Sequence, residues 1–168
     1  MKPKFIKAHM AAAEVYAQLS SAMRLKVGCV IVKDNTIIGI GYNGMPSGWE
    51  NTCEHVDFVA DSPELDYETM TNEKYIFGSY REIAGWVRSQ TKYEVLHAES
   101  NAIAKVARST NSTEGADMFV THAPCMDCAK LIHQSGIRSV FYRDTYRSDD
   151  GLNFLKKCNI EVNHVKDL

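Results

Sequence analysis

Apolar residues recur at intervals of three and four between Phe5 and Leu19, at Phe5, Ala8, Ala12, Val15 and Leu19. That spacing places them on one stripe and predicts an amphipathic packing helix over 5–19. The period then switches. Val27 to Val32 and Thr36 to Tyr42 are β-branched runs, and Lys33-Asp34-Asn35 between them supplies turn residues, so the pair reads as a β-hairpin with a tight turn. Glycines crowd the next stretch, Gly39 to Gly48. From about 49 to 95 no strong strand pattern emerges, although Tyr75 to Arg88 has helical character.

Helix and strand signals alternate from His97 onward. The pattern predicts helices over 97–109 and 125–135, the second ended by Gly136, and strands over 116–121 and 139–142, followed by a helix over 149–157 and a strand over 160–165. Such an order implies an α/β fold of three layers, with a mixed central sheet of about five strands and helices on both faces. No repeat or low-complexity linker divides the chain, and 168 residues suffice for one core. The expectation is a single domain over 1–168 that carries an insertion over about 49–95.

Composition narrows the function. Hydrophobic residues make up 45% and charged residues 24%, the balance of a globular rather than a disordered chain. With 19 Lys and Arg against 21 Asp and Glu, the formal charge of −2 argues against a nucleic-acid polymer as partner, because phosphate-backbone binding leaves a basic patch. A mononucleotide needs only one or two cations and stays within reach. No apolar run approaches the roughly 18 residues of a membrane span, and Met1-Lys2-Pro3-Lys4 is not followed by the apolar stretch of a signal peptide. A soluble, cytoplasmic protein without a membrane partner is expected. Five cysteines, an odd number, do not suggest a disulfide framework, and the sequon Asn111-Ser112-Thr113 carries no meaning without secretion.

Candidate chemistry gathers at two predicted helix starts, His97-Ala98-Glu99 and Pro124-Cys125-Met126-Asp127-Cys128. A catalytic zinc takes three protein ligands and keeps a fourth position for water; His97, Cys125 and Cys128 make one such set. The two cysteines lie i, i+3 on one helical face, so both sulfurs can point at one metal, and a helix N-terminus favours the thiolate. Pro124 suits the helix entry, where its missing N–H is harmless. Glu99, two residues past the histidine, can serve the metal's water without joining the ligand shell. A lone C-x-x-C would equally fit a redox pair or half of a structural zinc site. H-x-E together with P-C-x-x-C is the signature of zinc nucleobase deaminases.

Four longer runs carry a closer resemblance: Val27-Gly28-Cys29-Val30-Ile31-Val32, the segment from Gly39 to Gly48 (GIGYNGMPSG), the segment from His97 to Ile103 (HAESNAI), and the segment from Ala123 to Ile132 (APCMDCAKLI). Together they resemble the deoxycytidylate (dCMP) branch of the zinc-dependent cytidine/deoxycytidylate deaminase family, over most of the chain. The zinc residues are shared by cytidine, riboflavin-precursor, tRNA-adenosine and polynucleotide deaminases, whereas the glycine segment beside HAExNAI is typical of the dCMP branch. One position departs: Ser100 stands where the family usually has leucine. The resemblance implies a cytidine-deaminase-like fold and hydrolysis of dCMP to dUMP and ammonia. It further implies a homohexamer activated by dCTP with Mg2+ and inhibited by dTTP. In the expected mechanism a zinc-bound hydroxide attacks C4 of cytosine while Glu99 protonates N3 and relays a proton to the leaving amine.

A nucleotide needs contacts to base, sugar and phosphate. Backbone groups of Ala98 and Ala123 are partners for the cytosine edge, and Asn43 offers an amide suited to the 3′-hydroxyl, with a turn role as its bland alternative. Asn101, in the HAExNAI run, joins the substrate-contacting set. Arg108 is the first candidate for the 5′-phosphate, about three turns or 16 Å along the helix from His97, reaching back from its own chain or from a neighbouring subunit. Tyr146 adds a phenolic donor, with Arg143 and Arg147 as competitors. Arg24 and Lys26 resemble the family's basic pair beside an effector triphosphate, with Gly41, Tyr42 and Gly44 grouped there too.

Cys53 and His55, with Glu54 between them, are candidates for a second, structural zinc site. Cys29 and Cys158 read as core thiols, and His122 as aimed away from the metal. His9, His133 and His164 belong to no constellation. Other readings stay open: a zinc deaminase acting on free cytidine, tRNA or single-stranded DNA, and a non-enzymatic zinc-stabilised binding module.

Overall fold

The computed structural model describes residues 1–59 and 86–166. Its elements run α1 (Pro3–Ala17), β1 (Gly28–Lys33), β2 (Thr36–Tyr42), β3 (Glu54–Val59), β4 (Trp86–Thr91), α2 (Ala98–Ala107), β5 (Asp117–His122), α3 (Met126–Gln134), β6 (Ser139–Asp144), α4 (Asp150–Lys157) and β7 (Glu161–His164).

Asp34 and Asn35 join β1 to β2 with φ of 48° and 61°. Positive φ at both central residues is the mirror-image turn whose twist matches a two-residue hairpin. β1 pairs antiparallel with β2 and β5, β5 and β6 pair in parallel, and so do β6 and β7. The resulting mixed sheet has five strands in the order β2-β1-β5-β6-β7. Both of its faces are covered. Cys29, Ile31, Met118, Val120, Val140 and Tyr142 meet α2, α3 and α4 on one side, while Val30, Val32, Phe119 and Phe141 meet α1 on the other. Strand alternation therefore puts every second residue into each of two cores, and the three-layer expectation holds.

The face of α1 differs from its predicted stripe. Met10, Ala13 and Ala17, with His9, are buried, whereas Val15 and Leu19 stand 68% and 56% exposed. The two backbones approach closely there: a methyl on Gly28 would lie 2.0 Å from the Ala13 carbonyl oxygen, so β1 needs glycine where α1 crosses it at Ala13 and Ala17.

Between about 49 and 95 the structure adds what the residue pattern did not suggest, an antiparallel pair in which Glu54 faces Thr91 and Val59 faces Trp86. Residues 86–88, expected at the end of a helix, lie in β4, and 75–85 fall outside the described residues. None of the described helices is long and apolar enough to cross a membrane.

Strand directions gather the site at one edge of the main sheet. Gly28 at the start of β1 faces Tyr42 at the end of β2, and Cys29 faces Val120 near the end of β5. The loop before β1 and the exits of β2, β5 and β6 therefore meet together. In parallel strand pairs such as β5 and β6, the carboxyl ends are where helix N-termini converge and ligands bind.

Candidate active site

A cleft of about 670 Å³ opens at that edge, lined by residues of the 22–27 loop, the β2 exit, the α2 start and the segments after β5 and β6. Its volume is within the roughly 300–1,000 Å³ of small-molecule sites. His97 and Cys125 occupy the N-cap positions of α2 and α3, both with extended backbone, and Cys128 lies buried in the first turn of α3. Two separate helix starts thus deliver three metal-binding side chains.

The nitrogen and sulfur donors of these residues all lie within 4.8 Å of one another. Zinc bonds of about 2.1 Å to nitrogen and 2.3 Å to sulfur at a tetrahedral angle separate the two atoms by roughly 3.5 Å. His97 Nδ1 stands 3.5 Å from Cys125 Sγ and 3.4 Å from Cys128 Sγ. The residues present therefore fit a zinc ion with an open fourth side.

The electrostatics suit the same task. Hydrogen bonding with Cys128, reinforced by His97, pulls the Cys125 thiol down to about 4. The Cys128 thiol is raised by Cys125 and then by burial, which keeps its proton on, while hydrogen bonding to Cys125 raises His97. Binding a cation releases that proton, because a metal takes the thiolate form. Glu99, 4% exposed in the first turn of α2, is lifted by burial to about 7, against the pull of its own backbone N–H and of His97. A carboxyl poised near neutrality can both take and return a proton.

Residues 3–144 match the family model for the cytidine and deoxycytidylate deaminase zinc-binding region. The chain belongs to that family. It is 36% identical over 168 residues to the deoxycytidylate deaminase of Enterobacteria phage T4, covering 91% of this chain and 86% of the phage protein. The deoxycytidylate deaminase of Homo sapiens is 35% identical over 151 residues, covering 84% of this chain and 66% of the human protein. Among solved structures, the dCMP deaminase of cyanophage S-TIM5 in complex with dCMP and dUMP superposes with a TM-score of 0.75 at 37% identity, covering 98% of this chain and 99% of the other.

Several expected site residues line the cleft: Ala98, Ala123, Asn43 and Tyr146, together with Arg147. Ala123 N–H is engaged by the Asp144 carbonyl. The Asn43 amide grips the loop before β1, accepting from Val27 N and donating to the Leu25 carbonyl, both at 2.8 Å. One lone pair and one N–H of an amide held this way remain for a ligand. Asn101 lies apart from the cleft-lining residues and donates instead to the Tyr42 carbonyl, tying α2 to β2. The Ser100 hydroxyl, at the position that departs from the family pattern, bonds back to the His97 carbonyl at 3.0 Å.

Arg108 is not brought to the site in this chain. It caps the far end of α2, exposed to solvent. Arg143 is held by Glu14 and Asp144. Arg24, expected beside an effector, lines the same cleft as Glu99, while Lys26 is exposed outside it. Gly41 is buried under α2, and Gly44 is bridged to Leu96; Tyr42 is half-buried with Lys105 Nζ 5.3 Å from its ring.

Cys53 is buried and bonds Ser21 Oγ at 3.3 Å, whereas His55 is exposed. Cys53 lies just before β3, and among the described residues only His97, Cys125 and Cys128 form a group of three that could hold a metal. Cys29 is buried, its thiol raised first by burial and then by Glu99. His122, expected to point away, lines the cleft without joining the metal group. Its ring bonds Thr121 and stands 3.7 Å from Asp144, and burial lowers its pKa. Glu54 and Arg24 were both hidden as cleft residues, because nothing local in the sequence links positions 24, 54 and 99.

Proposed function

We propose that this protein hydrolyses dCMP to dUMP and ammonia. The observation that carries the reading is the lining of one cleft, whose walls carry Glu99, His97 and Cys125 of the metal-holding group, and Arg24, Tyr146 and Arg147. The mutual coverage with the dCMP- and dUMP-bound cyanophage enzyme supports the substrate.

His97, Cys125 and Cys128 would hold zinc, which when bound supplies Lewis-acid activation of a water at its open position. Glu99 then takes the water proton, delivers it to N3 of the ring and carries a proton to the departing amine; burial keeps it near the pKa that both transfers need. Ala98 and Ala123 orient the base through backbone groups, and Asn43 meets the sugar. Arg24 and Arg147 bind the 5′-phosphate with Tyr146, whose ring lies 5.9 Å from the Arg147 guanidinium carbon. Arginine matches phosphate geometry through its planar set of donors.

Activation by dCTP with Mg2+, inhibition by dTTP and assembly as a hexamer extend the reading on family resemblance. The test is ammonia and uracil-nucleotide formation by zinc-loaded protein with dCMP and deoxycytidine side by side, each with and without dCTP and Mg2+. Turnover restricted to dCMP is the expected result. Equal turnover of deoxycytidine would remove the phosphate contact, and no turnover of either would remove the deaminase reading.

A further inference from the structure

Cys125 precedes α3 rather than belonging to it, so that helix alone does not fix its backbone. The residue is extended, with φ of −70° and ψ of 172°, and makes no side-chain capping bond. Its carbonyl accepts Ala129 N–H at 2.9 Å, which holds it from the side of α3. On the other side stands α4. Gly151, in the first turn of that helix, is buried. A methyl there would lie 2.1 Å from the Pro124 carbonyl oxygen and 3.0 Å from both the carbonyl carbon and the oxygen of Cys125. All three are backbone atoms, so no side-chain rotation relieves the contact. Glycine weakens a helix relative to alanine, and here its bare Cα lets the start of α4 rest on the 124–125 peptide.

Packing decides which side would yield to a side chain at 151. Leu152 and Leu155 of α4 are buried in one core with Ala129 and Ile132 of α3, so α4 cannot back away without opening that core. Pro124 and Cys125 belong to the short link from β5 to α3, and the displacement falls there. Relieving a 2.1 Å approach to the 3.0 Å minimum of real contacts takes roughly 0.9 Å. A metal site tolerates about 0.2 Å in its bond lengths, so even half of that movement is felt at the sulfur.

We infer that Gly151 is a positioning residue for the metal ligand Cys125. The bare start of α4 is the stop against which Pro124 and Cys125 are set, and it fixes the reach of the Cys125 sulfur toward His97 Nδ1, 3.5 Å away. The inference rests on the zinc reading of that group. It adds a third helix start to the two that carry the ligands, one that contributes no side chain and acts by leaving room.

The experiment measures metal binding by the full chain as wild type, Gly151→Ala and Leu155→Val. The last trims the core side of α4, leaves Gly151 in place and reports what a weaker helix does by itself. Zinc affinity is read by competition with a chromophoric chelator, and ligand geometry by the thiolate and d–d absorption bands of the cobalt-substituted protein. Gly151→Ala should bind zinc at least about tenfold more weakly, as expected of a residue that orients a ligand, with altered cobalt bands. Leu155→Val should stay within about threefold of wild type with unchanged bands. Wild-type affinity and spectrum in Gly151→Ala, whatever its melting temperature, would overturn the inference, and so would equal weakening in Leu155→Val. Hydrogen exchange of the wild type needs no variant. Asn153 N–H bonds the Asp149 carbonyl at 2.8 Å near the start of α4, and Cys158 N–H bonds the Phe154 carbonyl at 3.0 Å at its end. Zinc should slow exchange at Asn153 by at least about threefold more than at Cys158, because the contact is local; equal slowing would overturn the inference. A wild type that binds no zinc would overturn the metal reading and this one with it, whereas zinc binding indifferent to residue 151 would overturn this one alone.

Discussion

Replacing Gly41 by alanine tests how tightly the sheet sets the catalytic helix. A methyl there would lie 2.0 Å from the Ala98 carbonyl oxygen and 2.7 Å from the Ala102 nitrogen, both backbone atoms that no rotamer change can move. Ordinary contact begins near 3.4 Å, so α2 must retreat from β2 by roughly 1.4 Å. Overpacking of a rigid core of this kind costs about 1–3 kcal/mol, which for a domain of this size lowers the melting temperature by roughly 3–10 °C. The helix that retreats carries His97 at its N-cap and Glu99 in its first turn. Displacing reacting groups by about 1 Å can lower turnover about 100-fold. Thermal unfolding, bound-zinc analysis and kcat on dCMP are the assays, with Gly44→Ala as the control. A methyl at Gly44 meets nothing nearer than Asn51 Oδ1 at 4.0 Å, and its effect should stay within about 0.5 kcal/mol. A Gly41→Ala protein with wild-type stability and turnover would refute the account of this interface.

Glu99→Gln should lower kcat by about 10²–10⁴-fold while zinc content is retained, and a variant keeping a tenth of wild-type activity would exclude Glu99 as the proton carrier. Removing metal with a chelator should abolish turnover and lower the melting temperature, because a cation that binds only the folded site stabilises it; Cys128→Ala should lose both metal and activity, as quantified by zinc release. Acid stability should report Asp117, which burial alone would raise but which hydrogen bonds from Arg138 and Ser139 hold below the usual carboxylate range. Its contribution is fully present above the unfolded value of about 3.9 and is lost as pH falls through the lower folded value. Urea unfolding between neutral pH and pH 3 should therefore show a steeper acid decline for wild type than for Asp117→Asn, and parallel curves would contradict it.

Local geometry accounts for what the sequence determined unaided. Alternating β-branched residues around Asp34 and Asn35 set the hairpin, Gly136 with φ of 74° stops α3 where its pattern ends, and the i, i+3 placement of Cys125 and Cys128 brings two sulfurs together on any helix. His97 and Glu99 were legible for the same reason, since each belongs to a short segment whose conformation depends on its own neighbours. Packing decided the rest. The stripe of α1 that is buried is the one whose Ala13 and Ala17 let the helix backbone approach Gly28, and a three-and-four spacing cannot rank it against another stripe of the same helix. Pairing of β3 with β4 joins segments some thirty residues apart, and no local pattern at 54–59 foretells a partner at 86–91. Arg24, Glu54 and His122 reach the cleft of Glu99 only because β1 runs antiparallel to β5 and so turns its entry loop toward the exits of β2 and β5. Arg108 lies away from the cleft of its own chain for the converse reason, because a rigid helix carries its two ends apart at about 1.5 Å per residue.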